Sequence, residues 1–196
     1  MKYLALGDSY TIGEQVDYKL NFPNQVVQLM QQHGQPLELS HLIAKTGWTT
    51  DELNAAISQI QPDYQHDWVT LLIGVNNQYR QRSVEEYSWQ FYALLQQSIL
   101  FAKSMPNRVI VLSIPDWGMT PFNVERPSNE VSAEIDEFNA VNKKITLQNG
   151  CQYIDITTST REHATDTNYL APDLLHYSEK EYGLWATKIV TTIFNS

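Results

Sequence analysis

The chain has a single cysteine, no long apolar run and no recognisable targeting segment. Its only cysteine, Cys151, excludes a disulfide within the chain and begins a short apolar segment, which predicts a buried structural thiol. The longest apolar stretch, WVTLLIGV at 68–75, is far shorter than the roughly 18 residues of a membrane span. No segment combines a basic start, an apolar stretch and a small-residue cleavage site. We therefore expect a cytoplasmic protein without integral membrane association, although a mature secreted form expressed without its leader would look the same.

Basic residues are also scarce. Thirteen Lys and Arg face 22 Asp and Glu, for a net charge of -9, which disfavours nucleic acid and anionic membranes as partners. The G-x-G-x-x-G and P-loop patterns are absent, which weakens the case for a nucleotide- or flavin-binding module. At 196 residues with 42% hydrophobic content, the chain is predicted to form one domain spanning 1–196. Whether it forms a homo-oligomer stays open.

Short strand-like runs alternate with helical patterns. Several runs are almost continuously apolar, as expected of strands covered on both faces. Capping-box patterns at 49–52, 83–86 and 178–181 mark helix starts. The strand-like runs are 2–6, 37–43, 67–73, 108–114 and 151–156. This alternation predicts an α/β fold, a three-layer α/β/α sandwich around a five-stranded parallel sheet.

In such sheets, ligands bind outside the carboxyl ends of the strands, so the loops there are the ones to search for chemistry. Ser9 lies in the first of them, directly after the strand-like run KYLAL. A serine here begins a turn, caps a helix or acts as a nucleophile. A serine hydroxyl is a weak nucleophile until a base removes its proton. The choice therefore depends on whether a base is present in another loop.

The best candidate base is His176, in the loop before the last helix. Asp173 precedes it by three residues, and a compact turn can direct both side chains the same way. The carboxylate would then orient the imidazole as a general base. The alternative is a histidine satisfied by a local carboxylate without a catalytic role. His163 and Asp166 also share a loop, but two ligands do not make a metal site, and we expect no metal.

Two further loops offer donors for an oxyanion. Gly47 in KTGWTT has an unencumbered backbone N–H, and Asn76 in IGVNNQ has a side-chain amide. Taken singly, each is an ordinary turn residue. Together with Ser9, Asp173 and His176, they supply the residue types that an esterase requires.

The segments GDSYT, TGWTT, IGVNN and DLLHYS occur in this order and resemble the four blocks of the SGNH, or GDSL-like, hydrolases. The resemblance spans about residues 5–176. It implies a flavodoxin-like fold with strand order 2-1-3-4-5 and no metal or organic cofactor. Two positions depart from the usual blocks: Asn77 stands where the family usually has Asp, and Tyr177 where Pro is frequent.

The resemblance also implies roles for five residues. Ser9 is the nucleophile, and its N–H serves the oxyanion hole together with the N–H of Gly47 and the amide of Asn76. His176 is the base, oriented by Asp173. This implies a carboxylic ester hydrolase of the GDSL-type serine esterase or lipase class.

The expected reaction is hydrolysis of a small-molecule ester, with a small or short acyl group, through an acyl-enzyme, as in an acetylesterase or a lysophospholipase-like enzyme. Apolar side chains in two loops are expected to line the substrate pocket. These are Trp117, Met119, Phe122, Tyr169 and Leu175. Two alternatives remain: an acyltransferase that uses the same serine, and a non-catalytic small-ligand-binding module on the same fold.

Overall fold

Five strands form one parallel sheet in a computed structural model that describes residues 1–196. The strands are β1 (Lys2–Gly7), β2 (Glu38–Ala44), β3 (Trp68–Leu72), β4 (Val109–Leu112) and β5 (Gln152–Ile154). They lie in the order β2-β1-β3-β4-β5, and each neighbouring pair is parallel. The predicted fold class and strand order are therefore confirmed. The strand order reverses at β1, which places its carboxyl end where such sheets bind ligands.

Helices cover both faces of the sheet. They are α1 (Ser9–Ile12), α2 (Phe22–Gln32), α3 (Thr50–Ile60), α4 (Val75–Tyr79), α5 (Val84–Phe101), α6 (Ser128–Gln148), α7 (Thr157–Glu162) and α8 (Glu179–Phe194). Short 3₁₀ helices span Tyr18–Leu20, Pro106–Arg108 and Trp117–Met119. Helix α2 packs against α8 in one layer, and α5 packs against α3 and α6 in the other. None of the helices combines the length and the apolar character that a membrane span requires.

The core follows from the apolar strands. Every residue of β3 and β4 is buried, as expected for strands covered by helices on both faces. The predicted buried thiol is confirmed: Cys151 is 5% exposed, and burial raises the pKa of its thiol to about 12. A thiol with such a pKa stays protonated and inert near neutral pH.

The predicted helix starts are correct, but one predicted cap is wrong. At α3 the Glu52 carboxylate accepts from the N–H of Thr49 at 2.9 Å, and at α5 Ser83 Oγ accepts from the N–H of Glu86 at 3.1 Å. At α8, Ser178 Oγ instead donates to the Asn168 carbonyl at 2.8 Å. The Glu181 carboxylate turns away from the cap because it is fully buried and bonded elsewhere. Its partners are Ser159, His163 and Trp185.

Candidate active site

Ser9 is held at the junction between β1 and α1. It is the first residue of α1, and the preceding Asp8 caps this helix by accepting from the N–H of Tyr10 at 3.1 Å. As the first helical residue, Ser9 has a peptide N–H without a partner inside the helix. The residue is 5% exposed. The sequence Gly-Asp-Ser thus places a hydroxyl and a backbone donor together at the carboxyl edge of the sheet.

His176 and Asp173 form a hydrogen-bonded pair in the loop before α8. His176 Nδ1 lies 2.6 Å from Asp173 Oδ2. The other carboxylate oxygen, Oδ1, accepts from the backbone N–H groups of Leu175 and His176 at 3.0 and 2.9 Å. The loop is closed further by the N–H of Ala171, which donates to the His176 carbonyl at 2.8 Å. Backbone contacts on both sides therefore fix the position of the imidazole.

The electrostatics of this pair determine which ring nitrogen carries the proton. Partial burial acts to raise the pKa of Asp173, but the hydrogen bonds from the ring and backbone of His176 outweigh it and hold the pKa below its usual value. Asp173 is therefore ionised near neutral pH and accepts from Nδ1–H. This leaves Nε2 as the ring nitrogen that is free to accept a proton.

Gly47 presents its backbone in a conformation that only glycine adopts easily. Its φ is +81°, in the left-handed region. A Cβ at this position would meet nothing closer than Arg80 Nη2 at 3.6 Å, so conformation, not space, favours glycine. Arg80 Nη2 donates to the Gly47 carbonyl at 2.7 Å. The carbonyl is thereby anchored, and the N–H of Gly47 makes no hydrogen bond.

Asn76 lies in the first turn of α4. Its Nδ2 donates to the Trp48 carbonyl at 3.0 Å, and because an amide nitrogen carries two hydrogens, one remains available. Gly74, directly before α4, has a φ of +133°, and a Cβ there would lie 2.6 Å from the Tyr87 ring. A glycine is thus required for the chain to turn from β3 into α4 at the angle that places Asn76.

One cavity brings four of the five predicted polar residues together. It has a volume of about 190 Å³. Its lining contains Ser9, Gly47, Asn76 and His176. Asp173 is bonded to His176 but does not itself line the cavity. Three of the predicted pocket residues, Trp117, Phe122 and Leu175, also line it.

The other two predicted pocket residues do not line this cavity. Met119 ends the 3₁₀ helix that Trp117 begins, and it is 42% exposed. Two residues along a 3₁₀ helix correspond to about two-thirds of a turn, so the Trp117 and Met119 side chains leave it in different directions. Tyr169 stacks on His163, with ring centroids 3.8 Å apart and an interplanar angle of 8°. That stacking pairs Tyr169 with His163, whose Nδ1 lies 2.7 Å from Glu181.

Four lining residues were missed by the sequence reasoning. They are Tyr10, Thr46, Val75 and Tyr79. Tyr10 packs against the His176 ring, with centroids 5.0 Å apart. Tyr79 follows Asn76 by three residues on α4, a spacing that places two side chains on one helix face. That spacing could have identified Tyr79 from the sequence alone.

Asp8 is an unusual neighbour for the serine. Its side chain is fully buried, and its Oδ2 has no hydrogen-bond partner. Burial raises the pKa of Asp8 to about 7, although the hydrogen bond from the Tyr10 N–H acts to lower it. Asp8 supports the turn into α1 through Oδ1 and holds a second oxygen that nothing in the structure stabilises in its charged form.

The sheet order and the site together define a class: a flavodoxin-like α/β protein with a serine and an aspartate–histidine pair around one cavity. The model of the GDSL-like Lipase/Acylhydrolase family matches residues 5–184, and the chain belongs to this family. The resemblance found in the four sequence segments is thereby confirmed. No curated protein matches the sequence.

Several solved structures share the fold over nearly the whole chain. A lipase/acylhydrolase from Enterococcus faecalis has a TM-score of 0.74 at 22% identity, covering 99% of this chain and 95% of that one. The acetylxylan esterase Axe2 from Geobacillus stearothermophilus has a TM-score of 0.73 at 21% identity, covering 98% and 93%. The esterase EstA from Pseudoalteromonas sp. has a TM-score of 0.72 at 15% identity, covering 99% and 97%. These similarities establish the fold.

Proposed function

We propose that this protein is a serine esterase that hydrolyses short-acyl carboxylic esters through an acyl-enzyme. The observation that carries the proposal is the arrangement around the cavity. Ser9 and His176 line the same space, and the Asp173 carboxylate holds His176 Nδ1 at 2.6 Å. A nucleophile, a base and a group that orients the base are the three parts of a serine hydrolase.

In the acylation step, Ser9 Oγ attacks the ester carbonyl carbon while His176 Nε2 takes the hydroxyl proton. The ionised Asp173 stabilises the imidazolium that forms. The negative charge on the former carbonyl oxygen is stabilised by three donors: the N–H groups of Ser9 and Gly47 and the free amide hydrogen of Asn76. All three residues line the cavity, and donors that are held in position before the reaction stabilise a developing charge without a cost of reorganisation.

The tetrahedral intermediate then breaks down as His176 gives its proton to the leaving alcohol, which leaves Ser9 acylated. Water attacks the acyl carbonyl in turn, with His176 again as the base, and releases the acid. Ser9 Oγ and His176 are not hydrogen-bonded to each other in this structure. Such bonds between catalytic groups are often long without substrate and shorten in the substrate complex.

The size of the cavity supports a short acyl group. Its volume of about 190 Å³ lies below the roughly 300–1,000 Å³ of pockets that enclose drug-sized ligands. Apolar side chains such as Val75, Trp117 and Leu175 line it, which favours an alkyl group over a charged one. The related fold of Axe2, which is named an acetylxylan esterase, agrees with this choice.

The test is hydrolysis of 4-nitrophenyl esters from acetate to octanoate by the wild type and by Ser9→Ala. Loss of the nucleophile should lower kcat on the order of 10⁴–10⁶-fold, and the wild type should prefer the shortest chains. Ser58→Ala is the matched control, because Ser58 is an exposed serine on α3 that bonds only to the Asn54 carbonyl. If Ser9→Ala is as active as the wild type, the proposed mechanism is wrong.

A further inference from the structure

A second cavity adjoins the candidate active site. It has a volume of about 410 Å³ and shares Tyr79, Trp117 and Phe122 with the first cavity. Its other walls come from Gln81, in the turn after α4, and from the loop between the Trp117–Met119 helix and α6. An ester bound at Ser9 therefore has two adjoining spaces available, which meet at these aromatic residues.

The shared aromatic residues form a fixed wall. The Trp117 ring lies edge-on to Tyr79, with centroids 5.1 Å apart, and to Phe122 at 6.3 Å. Trp117 Nε1 donates to Gln78 Oε1 at 2.7 Å, and the Gln78 side chain is buried. These three contacts hold the Trp117 ring in place where the two spaces meet.

The hydrogen bonds behind this wall involve the only cation of the second cavity. Gln78 Nε2 donates to Glu134 Oε2 at 2.6 Å. Arg126 holds the same carboxylate with two hydrogen bonds, at 2.6 and 3.0 Å. The guanidinium of Arg126 is therefore already paired, and it gives the cavity little attraction for an anion.

Polar groups without partners remain on the other walls. The Tyr79 hydroxyl, the Gln81 amide and the Glu125 carboxylate make no side-chain hydrogen bond, whereas the Asn123 amide is bonded to the Gly118 and Arg126 carbonyls. The one unpaired charge is thus the negative charge of Glu125, in a chain of net charge -9. An anionic group such as a phosphate would be repelled.

We propose that the second cavity binds the alcohol part of the ester and selects an uncharged polyhydroxylated alcohol, such as a sugar ring. This inference rests on the proposed esterase function. The exposed rings of Tyr79 and Phe122 offer an apolar surface for the carbon face of such a ring, and the unpaired amide, phenol and carboxylate offer partners for its hydroxyls. A quaternary ammonium binds most strongly inside a cage of rings on several sides, whereas these rings pack on one another in a single wall.

The test compares kcat/KM for four acetyl esters. These are ethyl acetate, which is too small to fill the second cavity, an acetylated methyl glucoside, the matching acetylated methyl glucuronide, and acetylcholine. The key variant is Gln81→Gly, because Gln81 has a φ of +55° and glycine adopts it without strain. Gln61→Gly is the matched control, since Gln61 has a φ of +51° at the far end of α3.

The expected result is that the wild type prefers the glucoside to the glucuronide and to acetylcholine. The glucoside-to-ethyl-acetate ratio should fall roughly two- to tenfold in Gln81→Gly, the loss of about one hydrogen bond, and should not fall in Gln61→Gly. Glu125→Gln should raise the relative rate on the glucuronide. Equal rates on charged and uncharged esters, or an unchanged ratio in Gln81→Gly, overturn the subsite alone. Absence of any Ser9-dependent hydrolysis overturns the proposed function itself.

Discussion

Asn77 and Thr50 are joined by two hydrogen bonds that connect the starts of α4 and α3. The N–H of Thr50 donates to Asn77 Oδ1 at 3.1 Å, and Asn77 Nδ2 donates to Thr50 Oγ1 at 2.7 Å. The hydroxyl of Thr50 then donates to Gln90 on α5. Both Asn77 and Thr50 are fully buried. The two loops that carry Gly47 and Asn76 are therefore fixed to each other through the residue after Asn76.

This pair predicts that Asn77→Asp is harmful, although aspartate is the usual residue of the family motif at this position. A carboxylate cannot donate to Thr50 Oγ1, so the Thr50 hydroxyl must turn toward it. Gln90 Oε1 then loses its donor, while Gln90 Nε2 keeps its bond to Glu86. We expect a loss of about 1–3 kcal/mol in the free energy of unfolding, measured in urea. A fall in kcat should accompany it, because Asn76 is displaced.

The control for this substitution is a second change at Gln90. Gln90→Leu in the Asn77→Asp background removes the acceptor that the single variant leaves unpaired, so part of the lost stability should return. A single variant as stable and as active as the wild type would show that the side-chain amide of Asn77 does not position the loops.

Asp173→Asn should abolish most of the activity while the protein stays folded. An amide can present its NH₂ group to Nδ1 and favour the wrong imidazole tautomer, so Nε2 no longer serves as the base. In serine proteases this change costs on the order of 10⁴ in kcat, and a similar loss is expected here with 4-nitrophenyl acetate. Asp166→Asn is the control, because Asp166 is exposed in the same loop and bonds only to Asn168. An equal loss of kcat in both variants would indicate that the substitutions disrupt the loop, and would contradict a role of Asp173 in orienting His176.

The sheet and the polar residues of the site could be predicted because their signals are local. Apolar runs predict the strands, and each of the four polar residues Ser9, Gly47, Asn76 and His176 lies within three residues of the first residue of a helix. Parallel topology then brings those element ends together. The cavity walls were harder to predict, because an aromatic side chain in a loop can face either the substrate or another ring.

Tyr169 and Ser178 show why the spacing of residues in one segment does not determine the contacts of their side chains. Tyr169 stacks on His163, and Ser178 lacks its expected partner because Glu181 bonds to Ser159 and Trp185. Both outcomes depend on contacts between distant parts of the chain, which the spacing of residues in one segment does not encode. A buried carboxylate takes the partners that satisfy it best, even when a local cap is within reach.

His66 should make the protein less stable in acid. Its ring is fully buried, and neither ring nitrogen has a hydrogen-bond partner. Burial lowers the pKa of His66 from its usual 6.5, although nearby Asp63 acts to raise it. Because the pKa of His66 is lower in the folded protein, the unfolded chain takes up the proton first as the pH falls below 6.5. The neutral His66 ring therefore contributes to the free energy of unfolding above pH 6.5, and this contribution is lost as the pH falls through the folded-state pKa. His66→Leu should therefore show a smaller loss of Tm between pH 7.5 and 5 than the wild type; an equal loss contradicts the assignment.

Asp8 should have the opposite effect on the pH dependence of stability. Burial raises the pKa of Asp8 from 3.8 to about 7, so its contribution is fully present below pH 3.8 and is lost as the pH rises through about 7. The full shift corresponds to roughly 4 kcal/mol. Asp8→Asn keeps an oxygen for the Tyr10 N–H and cannot ionise. Relative to the wild type, this variant should gain free energy of unfolding in urea between pH 5 and pH 8.

The matched control for Asp8→Asn is Asp17→Asn, because Asp17 also caps a short helix but is exposed and accepts from the N–H of Lys19 at 2.8 Å. Asp17→Asn should show no such gain.

If the stability of Asp8→Asn follows that of the wild type at every pH, Asp8 stays ionised in the folded protein, and an unseen partner must stabilise its second oxygen. If the gain is found, Asp8, the residue before Ser9, is a neutral acid over the lower part of this pH range. The serine then sits next to an uncharged carboxyl group below about pH 7 and next to an anion above it. A kcat profile that differs between the wild type and Asp8→Asn only above pH 7 would show that this charge reaches the reaction.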